Sequence, residues 1–126
     1  MLPFHLSFAV PDLATASGFY LDVLGCKPGR RYQDWMDILF FGHQLTLHQA
    51  AAGQNPPRLD HFGVIINRAD WHQLAVRLEA AGIEFVLAPL IKNEGMPTES
   101  GKYLIEDPAG NLLEFKYYHD FAGTMR

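Results

Sequence analysis

The sequence predicts an α+β fold built from two βαβββ modules in tandem. Three observations carry this prediction. A β-prone apolar segment is followed by a capped amphipathic helix and then by short strands, and this order occurs twice in 126 residues. The histidines that open the two first strands, His5 and His61, lie 56 residues apart, and the glycines that close the two helices, Gly25 and Gly82, lie 57 apart. A proline-containing stretch, AAAGQNPPRL, separates the halves. The chain reads as one domain over residues 1–126, with module 1 at about 1–50, a linker at about 51–58, module 2 at about 59–120 and a tail at 121–126. A hydrophobic content of 48% is enough for such a core without disulfides.

The elements follow in order. His5 to Val10 is apolar and β-prone, and Pro11-Asp12 breaks it and caps a helix with apolar positions Leu13, Ala16, Phe19, Tyr20, Val23 and Leu24. Gly25 ends that helix. Strands are expected at about Pro28 to Tyr32, Trp35 to Phe41 and Gln44 to Gln49. The second half repeats the plan: a strand at His61 to Ile66, a cap at Asn67 or Asp70, a stripe of Trp71, Leu74, Ala75, Leu78 and Ala81, and a stop at Gly82. Strands are then expected at about Glu84 to Leu87, Lys102 to Glu106 and Leu112 to Tyr118. Between them LAPLIKNEGMPTESGK reads as a long polar loop, either a lid over a functional site or a disordered connector.

Composition removes several function classes. With a net charge of -4 and scattered Lys and Arg, the chain has no electrostatic footprint for nucleic acid. No apolar run is long enough to cross a bilayer. The single cysteine, Cys26, cannot form an intrachain disulfide and reads as a small buried residue, and the N-terminal residues lack the features of a secretory signal, so a soluble cytoplasmic protein is expected. There is no phosphate-binding glycine loop and no serine nucleophile elbow. The partner class that remains is a small-molecule substrate, neutral or anionic.

Strand alternation places His5, Ser7 and Ala9 on one face, and His61, Gly63 and Ile65 on its repeat. The two last strands can be anchored on Gly42 and Gly110; four residues on stand Thr46 and Glu114, sharing faces with Gln44 and His48, and with Leu112 and Lys116. Taken singly, His5 and His61 are ordinary strand-end histidines and Glu114 a solvated carboxylate. Their matched placement in a repeat points to a joint ligand set. Two imidazoles and one carboxylate hold a divalent metal on one side and leave the opposite positions open for substrate. His48, two positions beyond Thr46, is the candidate acid/base; a support for the ligands, a fourth ligand or a plain strand-exit residue are its other readings. His43 in a turn, His72 off the helix stripe and His119 in the tail read as surface residues. Arg30 and Arg31 point oppositely, so at most one faces a pocket. Asp107-Pro108-Ala109-Gly110-Asn111 is turn chemistry that aims Glu114 inward.

The double plan, the paired histidines and the segment EDPAGNLLEF resemble the vicinal-oxygen-chelate superfamily of glyoxalases, bleomycin-resistance proteins and extradiol dioxygenases over nearly the whole chain. WMDILFFGHQLTLHQ, DHFGVII, DWHQLAVRLEAAGI and DPAGNLLEFKYY are most similar to small bacterial proteins described as extradiol-type dioxygenases. The resemblance implies cupped mixed sheets around a metal, held by first and last strands at His5, His61 and Glu114. It also implies a homodimer and a substrate that chelates the metal through vicinal oxygens. Iron(II) is the metal expected for oxygen chemistry, with Mn, Zn or Ni as alternatives.

Two departures narrow the activity. Glyoxalase I enzymes carry a glutamate where this chain has Thr46, so their four-ligand chemistry is disfavoured here. Ring-cleaving relatives carry a histidine and a tyrosine ahead of the Asp-Pro-x-Gly turn. This chain keeps Tyr103, Asp107-Pro108, Gly110 and Glu114, lacks a histidine from Asn93 to Lys102, and has one extra residue between Tyr103 and Asp107. Tyr103 therefore reads as a packed strand residue. The alternative functions are a non-oxidative lyase, isomerase or thiol transferase, or a metal-free drug-binding protein with a pocket of Trp35, Phe40, Phe41, Tyr103 and Tyr118.

Overall fold

In the computed structural model, which describes residues 1–125, β1 (His5–Val10) runs parallel to β4 (His43–Gln49). Strands β3 (Trp35–Phe40) and β2 (Lys27–Arg31) continue the sheet antiparallel, in the order β1-β4-β3-β2. The chain divides into two units, Met1–Arg58 with Asp107–Gly110, and Leu59–Glu106 with the chain from Asn111 onward. Each unit carries one βαβββ module, so the α+β tandem plan is the observed architecture.

A parallel first pair requires a crossover, and helix α1 (Leu13–Gly18) supplies it. The helix widens over Phe19–Val23, where the Leu24 N–H donates to the Phe19 carbonyl at 3.0 Å. Leu13, Ala16, Phe19, Tyr20 and Leu24 are buried with Met36, Ile38, Phe40, Leu45 and Leu47 from alternate sheet positions. Asp12 stands at the cap position, but its carboxylate is taken by the Thr15 hydroxyl rather than by the backbone. The Gln49 side chain replaces it, accepting from the Leu13 N–H at 2.8 Å. The Tyr20 hydroxyl donates to Asp107 Oδ2 at 2.9 Å; burial, then the Asp107 charge, pushes that phenol well above its ordinary pKa.

In the second unit β5 (Phe62–Ile65) is parallel to β8 (Leu112–Tyr118), followed by β7 (Ser100–Glu106) and β6 (Leu87–Lys92). Helix α2 (Arg68–Ala80) is capped by Asn67, whose side chain accepts from the Asp70 N–H at 2.8 Å. Trp71, Leu74 and Leu78 are buried with Tyr103, Ile105, Leu113, Phe115 and Tyr117. Trp71 Nε1 donates to the Phe115 carbonyl at 2.9 Å, and the Tyr103 hydroxyl donates to the Trp71 carbonyl at 3.0 Å. Gly25 and Gly82 both take positive φ, 77° and 76°, as the repeat requires of helix-ending residues.

Three sequence expectations are corrected. The strand expected at about Glu84 to Leu87 instead occupies Leu87–Lys92, because a break in register between Leu87 and Leu90 accommodates Pro89 at the sheet edge. The sixteen-residue loop thereby shrinks to the connection between Lys92 and Ser100. That connection is folded onto Glu99, which accepts from the Gly95 N–H and the Tyr117 hydroxyl, both at 2.8 Å, and pairs with Arg68 at 3.2 Å. His43 opens β4 rather than lying in a turn, with Nδ1 accepting from the Phe4 N–H at 3.0 Å. The expected tail contains a short helix, α3 (Phe121–Thr124), started by Asp120. No helix among the described residues is long and apolar enough to cross a membrane.

Candidate metal and substrate site

Strand pairing in the second unit fixes which side chains share its open face. Gly63, Glu114 and Leu104 stand side by side across β5, β8 and β7. Two residues along, Lys116, Lys102 and Leu90 form the next row, and Tyr118, Ser100 and Lys92 the one after. Their neighbours Leu113, Phe115, Tyr117 and Tyr103 point the other way, into the core beneath α2. His61 immediately precedes β5, two residues before Gly63. A Cβ on Gly63 would lie 1.6 Å from the Glu114 carbonyl oxygen, so only glycine permits this approach of β5 to β8, and the surface beside Glu114 stays uncovered.

Two local contacts set the chemistry of these residues. His61 Nδ1 lies 2.7 Å from Asp60 Oδ2. A carboxylate only accepts, so Nδ1 carries a proton and Nε2 is the ring nitrogen left to face a ligand. This is the arrangement in which an imidazole is oriented as a metal ligand. The Glu114 side chain is 18% exposed, with Lys116 Nζ 3.7 Å from its Oε1. The hydrogen bond with Tyr118 is the main cause that holds the Lys116 ammonium above its ordinary pKa, with the Glu114 charge adding to it.

The open face of the first unit is organised differently. Gln44 lies between His5 and Leu39, Thr46 between Ser7 and Asp37, and His48 between Ala9 and Trp35. Asp37 is buried, and its carboxylate accepts from the Thr46 hydroxyl at 2.7 Å, Arg30 Nε at 2.6 Å and Gln44 Nε2 at 3.4 Å. Burial pushes the Asp37 carboxyl up, but the hydrogen bonds from Arg30 and Thr46 and the Arg30 charge outweigh it and hold the group below its ordinary range. Thr46, the place where glyoxalase I enzymes have a ligand, is thus committed to Asp37. Arg30 also lies 5.0 Å over the Trp35 ring, Tyr32 stacks on Trp35 at 4.5 Å, and the His48 ring is 6.3 Å from Trp35. Arg31 takes the other direction and donates to the Met36 sulfur.

His5 and His48 therefore share a face but not a neighbourhood. His48 is four positions along β4 from Gln44, the register partner of His5, or about 13 Å at strand rise. Both rings are exposed. His61 and Glu114 both belong to the second unit. Among the described residues no group of three or more His, Cys, Asp and Glu side chains stands together at metal-binding range. Of the aromatics expected to line a drug pocket, Phe40 and Tyr103 are buried in the cores, and burial raises the Tyr103 phenol far above its ordinary pKa. The sequence reading missed Asp37 and Asp60. Their signals were a lone aspartate inside the apolar strand WMDILF, and an acid directly before His61.

The profile of the Glyoxalase/Bleomycin resistance protein/Dioxygenase superfamily matches residues 3–115. A glyoxalase/bleomycin resistance protein/dioxygenase from Alicyclobacillus acidocaldarius has a similar structure, with a TM-score of 0.78 and 35% identity, covering 98% of this chain and 94% of that one. A virulence protein of Salmonella typhimurium is 28% identical over 121 residues, 90% of this chain and 82% of its own length. Its crystal structure gives a TM-score of 0.70. A fosfomycin resistance protein of Listeria monocytogenes, 17% identical with a TM-score of 0.66 over 90% of each chain, shares the fold.

Proposed function

As the chain belongs to the glyoxalase, bleomycin-resistance and dioxygenase superfamily, we propose that it is a divalent-metal enzyme whose small substrate presents two neighbouring oxygens. Its proposed metal ligands are His5, His61 and Glu114. The observation that carries this reading is the 2.7 Å contact between His61 and Asp60, which orients a half-exposed imidazole directly before the strand that pairs with the Glu114 strand. When bound, the metal draws electron density from the two substrate oxygens and stabilises the negative charge that develops on them. Glu114 supplies the anionic donor and Asp60 holds the ring of His61. His48 is the proposed proton carrier, for a substrate long enough to extend along β4 to it.

Iron(II) and dioxygenase-like oxygen chemistry are the finer form of the proposal. A second form, a non-oxidative lyase, isomerase or thiol transferase with Mn, Zn or Ni, is favoured by Tyr103. That residue faces the core and donates to Trp71, away from Glu114. A homodimer is proposed from the resemblance.

Elemental analysis of protein purified without chelator tests the proposal, with about one equivalent of divalent metal per chain as the expected outcome. Glu114→Gln and His61→Ala each lose that metal, while His48→Gln retains it. Wild-type protein free of metal, or a Glu114→Gln variant that keeps a full equivalent, sinks the reading. Oxygen uptake with the loaded protein separates its two forms.

A further inference from the structure

The open face of the second unit holds more cationic charge than its neighbours neutralise. Lys102 on β7 is the direct cross-strand partner of Lys116 on β8, on the same face, and Lys92 on β6 lies one row away beside Ser100. Like charges opposite one another across an antiparallel pair repel, and a sheet has no need of such a pairing for its own stability. Among the described residues Lys116 pairs with Glu114 at 3.7 Å, and Lys92 and Lys102 have no ion-pair partner. The three lysines with Leu90, Ser100, Gly101 and Tyr118 line a pocket of about 180 Å³. At roughly 30 Å³ for a water, this is space for a group of several non-hydrogen atoms. Lys116 and Lys102 are half-buried, so their charges act through a medium less screening than bulk water.

We propose that this pocket binds a doubly charged oxyanion, a phosphoryl-type group carried by the substrate, through Lys92, Lys102 and Lys116, with the Ser100 and Tyr118 hydroxyls as further donors. The charge balance selects a dianion: three ammonium groups less the one carboxylate of Glu114 leave two positive charges. The inference rests on the proposed metal reading for its place in the reaction, since Lys116 stands one row from Glu114, and it names the far end of that substrate. The anion site itself does not require the metal. Lysine ammonium groups act on such an anion as movable point charges, which suits a pocket open on one side.

The test is titration of chelator-treated, metal-free protein with inorganic phosphate near pH 8 at constant ionic strength, followed by amide NMR. The expected result is a saturable shift confined to Ser100, Gly101, Lys102 and the neighbouring β6 and β8 signals, with acetate at equal ionic strength giving no saturable change. Lys102→Gln and, separately, the exposed Lys92→Gln weaken phosphate binding about tenfold, while Lys102→Arg restores it. Absence of saturation, an equal response to acetate, or unchanged affinity in a Lys102→Gln variant with an otherwise native spectrum overturns the proposal. Because no metal is present, this outcome is independent of the metal analysis: either reading can fail while the other stands.

Discussion

The two half-chains follow one backbone plan but place their acid on different strands. At matched positions in the two registers, the first half has Asp37 on β3 facing Thr46 on β4, and the second has Leu104 on β7 facing Glu114 on β8. Asp37 sits in the middle of its sheet and is enclosed by Arg30, Thr46 and Gln44. Glu114 has a leucine and a glycine beside it, and Lys116 at 3.7 Å as its ion-pair partner. An acid saturated by internal donors stabilises a sheet; one left with open lone pairs is able to bind something else. The duplication thus keeps the scaffold in both halves while one half keeps its acid for itself.

The largest effect is expected from forcing the first half into the pattern of the second. Thr46→Glu places a second carboxylate against the buried Asp37 and removes the hydroxyl that Asp37 accepts from. The expected loss is roughly 3 kcal/mol or more, read as a lower urea midpoint. The double variant T46E/D37L copies the Glu114 and Leu104 arrangement and recovers most of that loss. A Thr46→Glu protein as stable as wild type would show that the enclosure of Asp37 is not what separates the halves.

The next contrast lies at the two strand-opening histidines. His61 follows an aspartate that orients its ring, whereas His5 follows Phe4 and, among the described residues, makes no hydrogen bond to a carboxylate. Asp60→Asn is expected to weaken metal binding about 10–100-fold without changing the fold, because an amide no longer fixes which ring nitrogen holds the proton. Competition with a chromophoric chelator measures it. Unchanged affinity would remove Asp60 from the site and, with it, the observation on which the proposed role of His61 depends.

These contrasts also show what was legible in the sequence. Strand and helix order, the helix stops at Gly25 and Gly82, and the span of β8 follow from local periodicity and from backbone positions that favour glycine, so they could be read without the fold. Strand β6 could not, because its apolar residues are interrupted by Pro89 and only the register break beside β7 makes LAPLIK a strand. Matching Thr46 to Glu114 by counting from Gly42 and Gly110 identified the unequal position, but not what fills it. Asp37 becomes its partner only through antiparallel pairing, and the cross-strand Lys102 and Lys116 pair arises in the same way. Contacts between strands depend on register, which composition and spacing specify only where one face is apolar.

The smallest expected effect compares the two enclosed carboxylates. Asp37 in the first unit and Glu99 in the second are both held below their ordinary pKa: Asp37 by Arg30 and Thr46 against burial, Glu99 chiefly by the Gly95 N–H and then by the Tyr117 hydroxyl. A carboxyl with a lowered folded pKa binds fewer protons in the folded than in the unfolded chain near the unfolded value of about 4. Its contribution is therefore complete above that value and is lost as pH falls through the lower folded value. Urea stability should be level near pH 6 and decline below about pH 4. Asp37→Asn should flatten part of that decline while lowering stability at neutral pH, and Glu99→Gln should do the same through the connection that ends β6. Because the Arg30 guanidinium hydrogen-bonds Asp37 at 2.6 Å while the Arg68 guanidinium stands at 3.2 Å from Glu99, the Asp37 variant should show the larger change in acid slope. Equal slopes in both variants and wild type would mean that neither carboxylate is coupled to folding, and that the enclosure of Asp37 differs from the open setting of Glu114 in geometry alone.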